Sequence, residues 1–311
     1  MTTIISKRHA FNFYGILIFV SLFFGGIGSF ILFEIVDLSE SNAKDLIAIG
    51  IFVYLFVLLF IYSFVRNTPA ITLNEHYIKF GKKSFRLKDI EEVKLTGKRY
   101  FRYIFFTYME ATTLVFKDGT EKVIFDSVYS NSHKIKSFLK QVVIDEKEYK
   151  PYQVSKIDKK NLPFEPKEYF KGNPFFSFRG IMLWGFILFL SYLSFFKPFP
   201  NKNNPYVFLG VYGLFWFVLN SWMMYFFGLT KNYLIVKNHY FLWEIKAYKL
   251  TDIHEIVYES QGRSPNCMRI ITKDFKYKLY RAGTLRDKTW IKLMHQLREK
   301  GVNVRNECIP E

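Results

Sequence analysis

Four long stretches of this chain carry no charged side chain, and they decide most of what it can become. Residues 10–33, 46–65, 180–196 and 203–230 contain no Asp, Glu, Lys, Arg or His. A helix needs about 20 apolar residues to cross the hydrocarbon of a bilayer, and about 17–25 will serve. The stretches therefore predict four membrane-spanning helices in two hairpins. The first hairpin occupies 10–66, with spans at 10–33 and 46–65. The second occupies 177–229, with spans at 180–196 and 205–228. The third span is the shortest, and Arg179 and Lys197 at its ends can reach outward and lengthen it. The first stretch is too long for a removable signal peptide and lacks a small-residue cleavage site.

The cationic residues orient these spans, because Lys and Arg collect on the cytoplasmic side. Lys7 and Arg8 precede the first span and Arg66 follows the second. Lys167, Lys171 and Arg179 precede the third, and Lys231 and Lys237 follow the fourth. The loop 34–45 is acidic, and the loop 197–204 holds two lysines and is broken by Pro198 and Pro200. Both hairpin loops are thus expected outside, with both termini and both soluble regions in the cytoplasm. The expected location is the cell inner (plasma) membrane, crossed four times. Trp184 and Trp222 fall near span ends, where indole favours the interface.

The net charge is +17, and it is shared between two soluble regions. Residues 66–140 hold 15 basic and 8 acidic side chains, and residues 231–311 hold 16 and 9. Such balance serves solubility and topology, and it also attracts anionic lipid headgroups. The two cysteines, Cys267 and Cys308, have no paired spacing. They offer neither a disulfide framework nor a thiolate metal site.

The soluble regions repeat each other. The nine residues from Phe85 to Val93 match those from Tyr248 to Ile256: Leu87, Asp89 and Ile90 recur as Leu250, Asp252 and Ile253. Upstream, Tyr77 and Ile78 match Tyr233 and Leu234. Downstream, Lys117 and Asp118 match Lys273 and Asp274 at an expected hairpin turn. Asp118-Gly119 is a strong turn signal, but Phe275 replaces the glycine in the second copy. Each copy ends in an amphipathic helix. Ile135, Phe138, Leu139 and Val142 share one helical face, as do Trp290, Leu293, Met294 and Leu297. Thr284 and Asp287 suit the start of the second of these helices, and Gly301 its end. Ahead of the helices, 76–80, 112–117, 122–125, 240–247, 269–272 and 276–280 read as strands.

The expected fold class is therefore an α+β membrane protein, built from two repeats of a helical hairpin followed by a curved sheet that a C-terminal helix caps. The soluble domains fall at 70–145 and 230–303. A proline-containing linker joins them at 146–176, and a tail follows at 304–311. This order, with Leu87, Asp89, Ile90 and Val93 recurring as Leu250, Asp252, Ile253 and Ile256, resembles the bacterial pleckstrin-homology-like domains that are fused to membrane helices. The resemblance covers nearly all of 10–145 and 177–302. It implies a β-barrel with a capping helix, a membrane location and a binding or scaffolding role. It implies no catalytic residues.

Few residues suggest chemistry. None of the six histidines makes the paired spacing with Glu that a helical metal site requires. His254 and Glu255 are adjacent on an expected strand, which sends them to opposite faces. No catalytic residue, metal or cofactor is expected. Gly25, Gly26 and Gly28 lie inside an apolar span, so they are not a phosphate loop. Gly25 and Ser29 instead suit close helix packing, either within the hairpin or along a homodimer seam.

The most unusual stretch is 97–106, where Lys98, Arg99 and Arg102 alternate with Tyr100, Phe101, Tyr103, Phe105 and Phe106. Beside a membrane it suits contact with anionic lipids or with a partner. The plainer reading is a strand with one buried aromatic face. No nucleic-acid recognition motif accompanies it, and none is expected to act.

The spans lack the ionisable groups that mark proton or ion pathways. Three functions follow in order. The first is a non-catalytic scaffold presenting two domains to a protein partner. The second is recognition of anionic headgroups on the bilayer that carries them. The third is a membrane enzyme or transporter of unrecognised type.

Overall fold

A computed structural model describes residues 2–34, 40–101, 107–154, 157, 168–196, 205–262 and 264–310. Of the expected hairpin loops, 197–204 and the middle of 34–45 (35–39) lie outside these residues, as do Pro163, Pro166 and Lys167, and 40–45 belong to a helix. The chain divides into two compact units, Met1–Tyr152 and Gln153–Glu311.

The first unit opens with β1 (Ile4–Ile5) and a π-helical turn over Ala10–Gly15 that runs into α1 (Ile16–Glu34). His9 caps that turn: its Nδ1 accepts the backbone N–H groups of Phe11 and Asn12. Then come α2 (Glu40–Asn67), β2 (Ile71–Leu73), β3 (Tyr77–Phe80), β4 (Lys83–Arg86) and β5 (Ile90–Lys94). They are followed by β6 (Lys98–Phe101), β7 (Thr107–Phe116), β8 (Glu121–Phe125) and α3 (Ser132–Leu139). One antiparallel sheet has the order β1-β2-β3-β4. In the other, β7 pairs with β5, β6 and β8.

The second unit contains β9 (Glu168–Phe170), α4 (Phe178–Phe196), α5 (Pro205–Ser221), β10 (Tyr225–Leu229), β11 (Tyr233–Asn238) and β12 (Ile245–Lys249). It continues through β13 (Ile253–Glu259), β14 (Cys267–Thr272), β15 (Tyr277–Arg281), α6 (Asp287–Glu299) and β16 (Val304–Asn306). Its sheets have the orders β12-β11-β10-β9 and β15-β14-β13-β16.

Both units build the base of their helix pair in the same way. The strand before the pair hydrogen-bonds to the strand after it. Ile4 and Ile5 of β1 face Leu73 and Thr72 of β2, while Glu168, Tyr169 and Phe170 of β9 face Leu229, Gly228 and Phe227 of β10. An arginine adds a second clasp in each unit. Arg8 donates to the Thr68 carbonyl (3.2 Å) just beyond α2, and Arg179 on α4 donates to Asn220 (3.4 Å) at the end of α5. Chain entering and chain leaving each helix pair therefore meet in one sheet.

The two matching sequence segments each form the corner between the sheets of their unit. Leu87–Asp89 and Leu250–Asp252 each form one 3-10 turn, with the leucine buried and the next strand starting at the isoleucine. The carbonyl of Asp89 accepts the Lys117 N–H (2.9 Å), and that of Asp252 accepts the Lys273 N–H (2.8 Å). The turn is thereby pinned to the far hairpin in both units. At that hairpin Gly119 has φ +78°, and Phe275 has φ +58° in its place. A side chain in this left-handed region costs about 1–2 kcal/mol. Phe275 is held there because its ring is buried and meets the His254 ring edge-on at 4.9 Å.

The amphipathic faces of α3 and α6 close their units. Ile135, Phe138 and Leu139 are buried in one, and Trp290, Leu293, Met294 and Leu297 in the other.

Three helices are long and apolar enough to cross a membrane: Ala10–Phe33, Ala43–Asn67 and Phe178–Phe196. The apolar part of α5 found among the described residues, Leu209–Ser221, is shorter. Along α1 and α2, Phe19, Leu22, Phe30, Phe52 and Leu59 are exposed, so the pair presents hydrocarbon outward. Exposed apolar surface of this extent marks a membrane or partner contact.

Several boundaries differ from the sequence expectation. The span expected at 205–228 stops at Ser221, because Tyr225–Leu229 is needed as a strand between β9 and β11. The linker 146–176 contains β9, so part of it belongs to a sheet. The tail 304–311 supplies β16, which runs parallel to β13. Tyr240–Ala247, read as a strand, is a loop until Ile245, because Asn238 Oδ1 accepts the N–H groups of Tyr240 (2.9 Å) and Phe241 (3.1 Å) and turns the chain.

Phe64 near the end of α2 is fully buried against Phe13, Phe60 and Phe101, which joins the helix pair to the β-domain. Phe64→Ala is expected to cost about 3–5 kcal/mol of unfolding free energy. Leu22→Ala, on the exposed face of α1, is expected to cost under about 1 kcal/mol by the same reasoning. Denaturant unfolding of both variants in detergent checks the difference.

Candidate functional site

The second unit holds a cleft of about 320 Å³ lined by Tyr169, Lys171, Phe226, Lys237, Asn238, His239, Leu242 and Ile245. It forms on the sheet face opposite the core. Tyr225, Phe227 and Leu229 of β10 point into the core, so Phe226 between them points outward. Phe226 faces Lys237 on β11, and Lys237 faces Ile245 on β12. Those three side chains form a row across three strands. Tyr169 on β9 completes the wall, with its ring 6.1 Å from that of Phe226.

Two cations serve this cleft. Lys237 Nζ donates to the Tyr169 hydroxyl (3.5 Å) and lies 5.4 Å from its ring centre. Lys171 follows β9 directly and is exposed. Its position depends on Gly172, whose Cα packs so closely on the Thr284 carbonyl that no Cβ would fit. The His239 ring packs on Phe226 at 4.7 Å, and its Nε2 lies 3.3 Å from the Thr284 hydroxyl. Burial, assisted by the charge of Lys171, pushes the His239 pKa from 6.5 down to about 4. The imidazole is therefore neutral near pH 7, and the positive charge of the cleft comes from its lysines.

The rim of the cleft is fastened to the helix pair. The Trp184 indole N–H donates to the Tyr240 hydroxyl (2.8 Å), and that hydroxyl donates to the Pro174 carbonyl (3.3 Å). The Tyr240 ring meets Phe217 at 5.3 Å and Trp184 at 6.1 Å. Beyond this anchor, Leu242 and Trp243 are each 74% exposed.

The residues singled out from the sequence are placed differently. Lys98, Arg99, Tyr100 and Phe101 form β6, and Arg102, Tyr103, Phe105 and Phe106 lie outside the described residues. Phe101 is buried and Tyr100 is exposed, the alternation of an ordinary strand. Arg99 is held by Thr113 (2.9 Å) and Glu121 (3.1 Å). Tyr100 packs on the exposed Tyr108 of β7 at 5.4 Å. Of the small residues in α1, Ser29 meets the Tyr54 hydroxyl of α2 at 2.6 Å, within the hairpin. Gly25 has open space beside it, and the close approaches of the two helices fall at Gly28 and Gly50.

Sequence reasoning used Lys171 and Lys237 only to orient the spans, and it left Phe226 inside a span. The local signal was the match between the two sequence segments. Matching Tyr77 with Tyr233 leaves room for a preceding strand in both copies, because β2 lies just before Tyr77.

Among the described residues, no three His, Cys, Asp or Glu side chains gather to hold a metal ion. Burial pushes the Cys267 thiol up to about 12, so it stays protonated and unreactive. No protein-family model matches this chain, and no curated protein matches it.

The His239 shift carries a linkage consequence. The unfolded chain binds a proton at 6.5 that the folded chain refuses until about 4. Stability therefore falls as pH drops through that window and is constant above it. The His239→Gln variant is expected to show a flatter unfolding midpoint between pH 7 and about 4, measured by thermal denaturation in detergent. An unchanged slope contradicts the assignment.

Proposed function

We propose that this chain is a non-catalytic membrane scaffold. Two duplicated domains of pleckstrin-homology-like plan are held against the cytoplasmic face of the inner membrane by a four-pass anchor, and they present their outer faces to a protein partner. The observation that carries this reading is the strand pairing of β1 with β2 and of β9 with β10. A domain fastened to both ends of its helix pair does not swing on a tether. Both ends of that pair must also lie on one side of the bilayer. The domains thus stand at a fixed height and orientation, which suits presentation of a surface. Two sites on one anchor gain further from effective concentration.

Support for duplication comes from the common element order and from the matching corner turns at Leu87–Asp89 and Leu250–Asp252. Support for an outward surface comes from the exposed Tyr100–Tyr108 pair on β6 and β7, since paired aromatics are favoured at interfaces.

Two measurements test the reading. A photo-crosslinking amino acid at Tyr108 in living cells is expected to yield a reproducible protein adduct that Tyr100→Ser diminishes at least severalfold. Lipid adducts alone would contradict the scaffold role. Cysteines placed singly at Ile5 and Lys79 are both expected to react with an impermeant maleimide only after the cytoplasmic side is opened. Labelling of either in intact cells would overturn the topology.

A further inference from the structure

The cleft of the second unit lies where a lipid headgroup would meet it. Taking α4 and α5 as membrane helices, as in the preceding section, fixes the depth of its rim. Trp184 lies six residues into α4, roughly 9 Å along the helix from its start. Phe217 lies four residues before the end of α5. Tyr240 is bonded to the first and packed on the second. The 239–244 loop therefore reaches past the helix ends to the boundary between headgroups and hydrocarbon. That loop then carries Leu242 and Trp243 outside the protein surface, each 74% exposed. Phe176 and Phe178, at the start of α4, are exposed to a similar degree. These side chains continue the apolar surface of the helices, and indole with aliphatic groups is what the interface accepts.

Lys171, Lys237 and Leu242 line the same cleft. Ammonium groups thus stand beside an apolar contact at the level of lipid phosphates. Among the described residues the cleft lining holds no carboxylate, while Asn238, Tyr169 and His239 add polar groups.

We propose that this cleft binds the phosphate of an anionic phospholipid, with Lys171 and Lys237 on the headgroup and Leu242 and Trp243 in the adjoining acyl boundary. The lipid is bound while it remains in the bilayer. The site would set the tilt of the second domain on the membrane and make its docking depend on anionic lipid. A soluble phosphate satisfies the lysines but leaves Leu242 and Trp243 in water. A protein partner would have to displace lipid from a surface continuous with α4 and α5.

The test uses the full chain in nanodiscs of phosphatidylcholine with and without phosphatidylglycerol. The phosphatidylglycerol that stays with the protein through detergent exchange is measured by mass spectrometry. Three forms are compared: unaltered protein, Lys171→Gln with Lys237→Gln, and Lys246→Gln with Lys249→Gln. The last pair removes the same charge from exposed positions of β12 that do not line the cleft. The cleft pair is expected to lower retention by about fivefold per lysine, and the control pair by much less. Leu242→Ser with Trp243→Ser is expected to lower retention with the lysines intact.

Equal losses in the cleft and control pairs would overturn the site in favour of diffuse charge attraction. Unchanged retention in the cleft pair would do the same and leave the membrane reading standing. Displacement of phosphatidylglycerol by inorganic phosphate at equal concentration would assign the cleft to a soluble anion. Failure of the chain to enter nanodiscs at all would overturn the membrane reading, and this site with it.

Discussion

The short strand pairing at the foot of each helix pair is the constraint on which the rest of the architecture depends. β1 is only two residues long and β9 only three, yet each is the edge of a four-stranded sheet. Because each edge strand leads towards a helix pair and its neighbour leads away from it, the entering and leaving chain are held one strand spacing apart, about 4.8 Å, at the foot of the pair. The arginine clasps at Thr68 and Asn220 act at the same level. A buried aromatic chain in the first unit, Phe13 to Phe64 to Phe101, extends this coupling from helix to sheet. In the second unit the coupling runs through Trp184, Tyr240 and Phe217. On the proposed membrane reading, depth in the bilayer and domain orientation are then one variable rather than two.

That coupling gives the charge on the domains a defined place to act. A basic surface on a flexible tether samples many heights, and salt screens it within about 10 Å of the bilayer. On the proposed membrane reading, lysines on a sheet stitched to the helix ends are held near the bilayer instead. The exposed residues of the 239–244 loop are part of the same arrangement, since Asn238 turns the chain and Tyr240 pins it. The buried ion pairs lie elsewhere. Lys136 with Asp126 (2.6 Å) and Arg269 with Glu259 (2.8 Å) each pair internal charges within one domain, which makes them structural.

Much of the fold was legible because its signals are long. An uncharged stretch of about 20 residues has one physical solution in a bilayer. Four large apolar groups at helical spacing located α3 and α6, and Asp118-Gly119 located a hairpin. What could not be read had short or masked signals. Strands of two or three residues carry no period. Tyr225–Leu229 is as apolar as the helix before it, so hydropathy merged the two and hid Phe226. Phe275 adopts a glycine conformation only because His254 and the core hold its ring, a tertiary effect without a local signature. The cleft residues come from β9 and the residue after it, β10, β11, the following loop and the start of β12. Their proximity follows from strand order, and strand order depended on the two short edges.

The closure of the first helix pair by β1 and β2 can be measured directly. Ile5 faces Thr72, and Thr72 faces Lys79 on the next strand. Adjacent strands bring paired Cα atoms within the roughly 4.4–6.8 Å that a disulfide requires, whereas two strand spacings are about 10 Å. Ile5→Cys with Thr72→Cys, oxidised in isolated membranes, is predicted to form an intramolecular disulfide. Ile5→Cys with Lys79→Cys is predicted to stay reduced. If neither pair crosslinks, or both do equally, the N-terminal strand does not close the helix pair, and the account of a domain fixed to its membrane anchor fails.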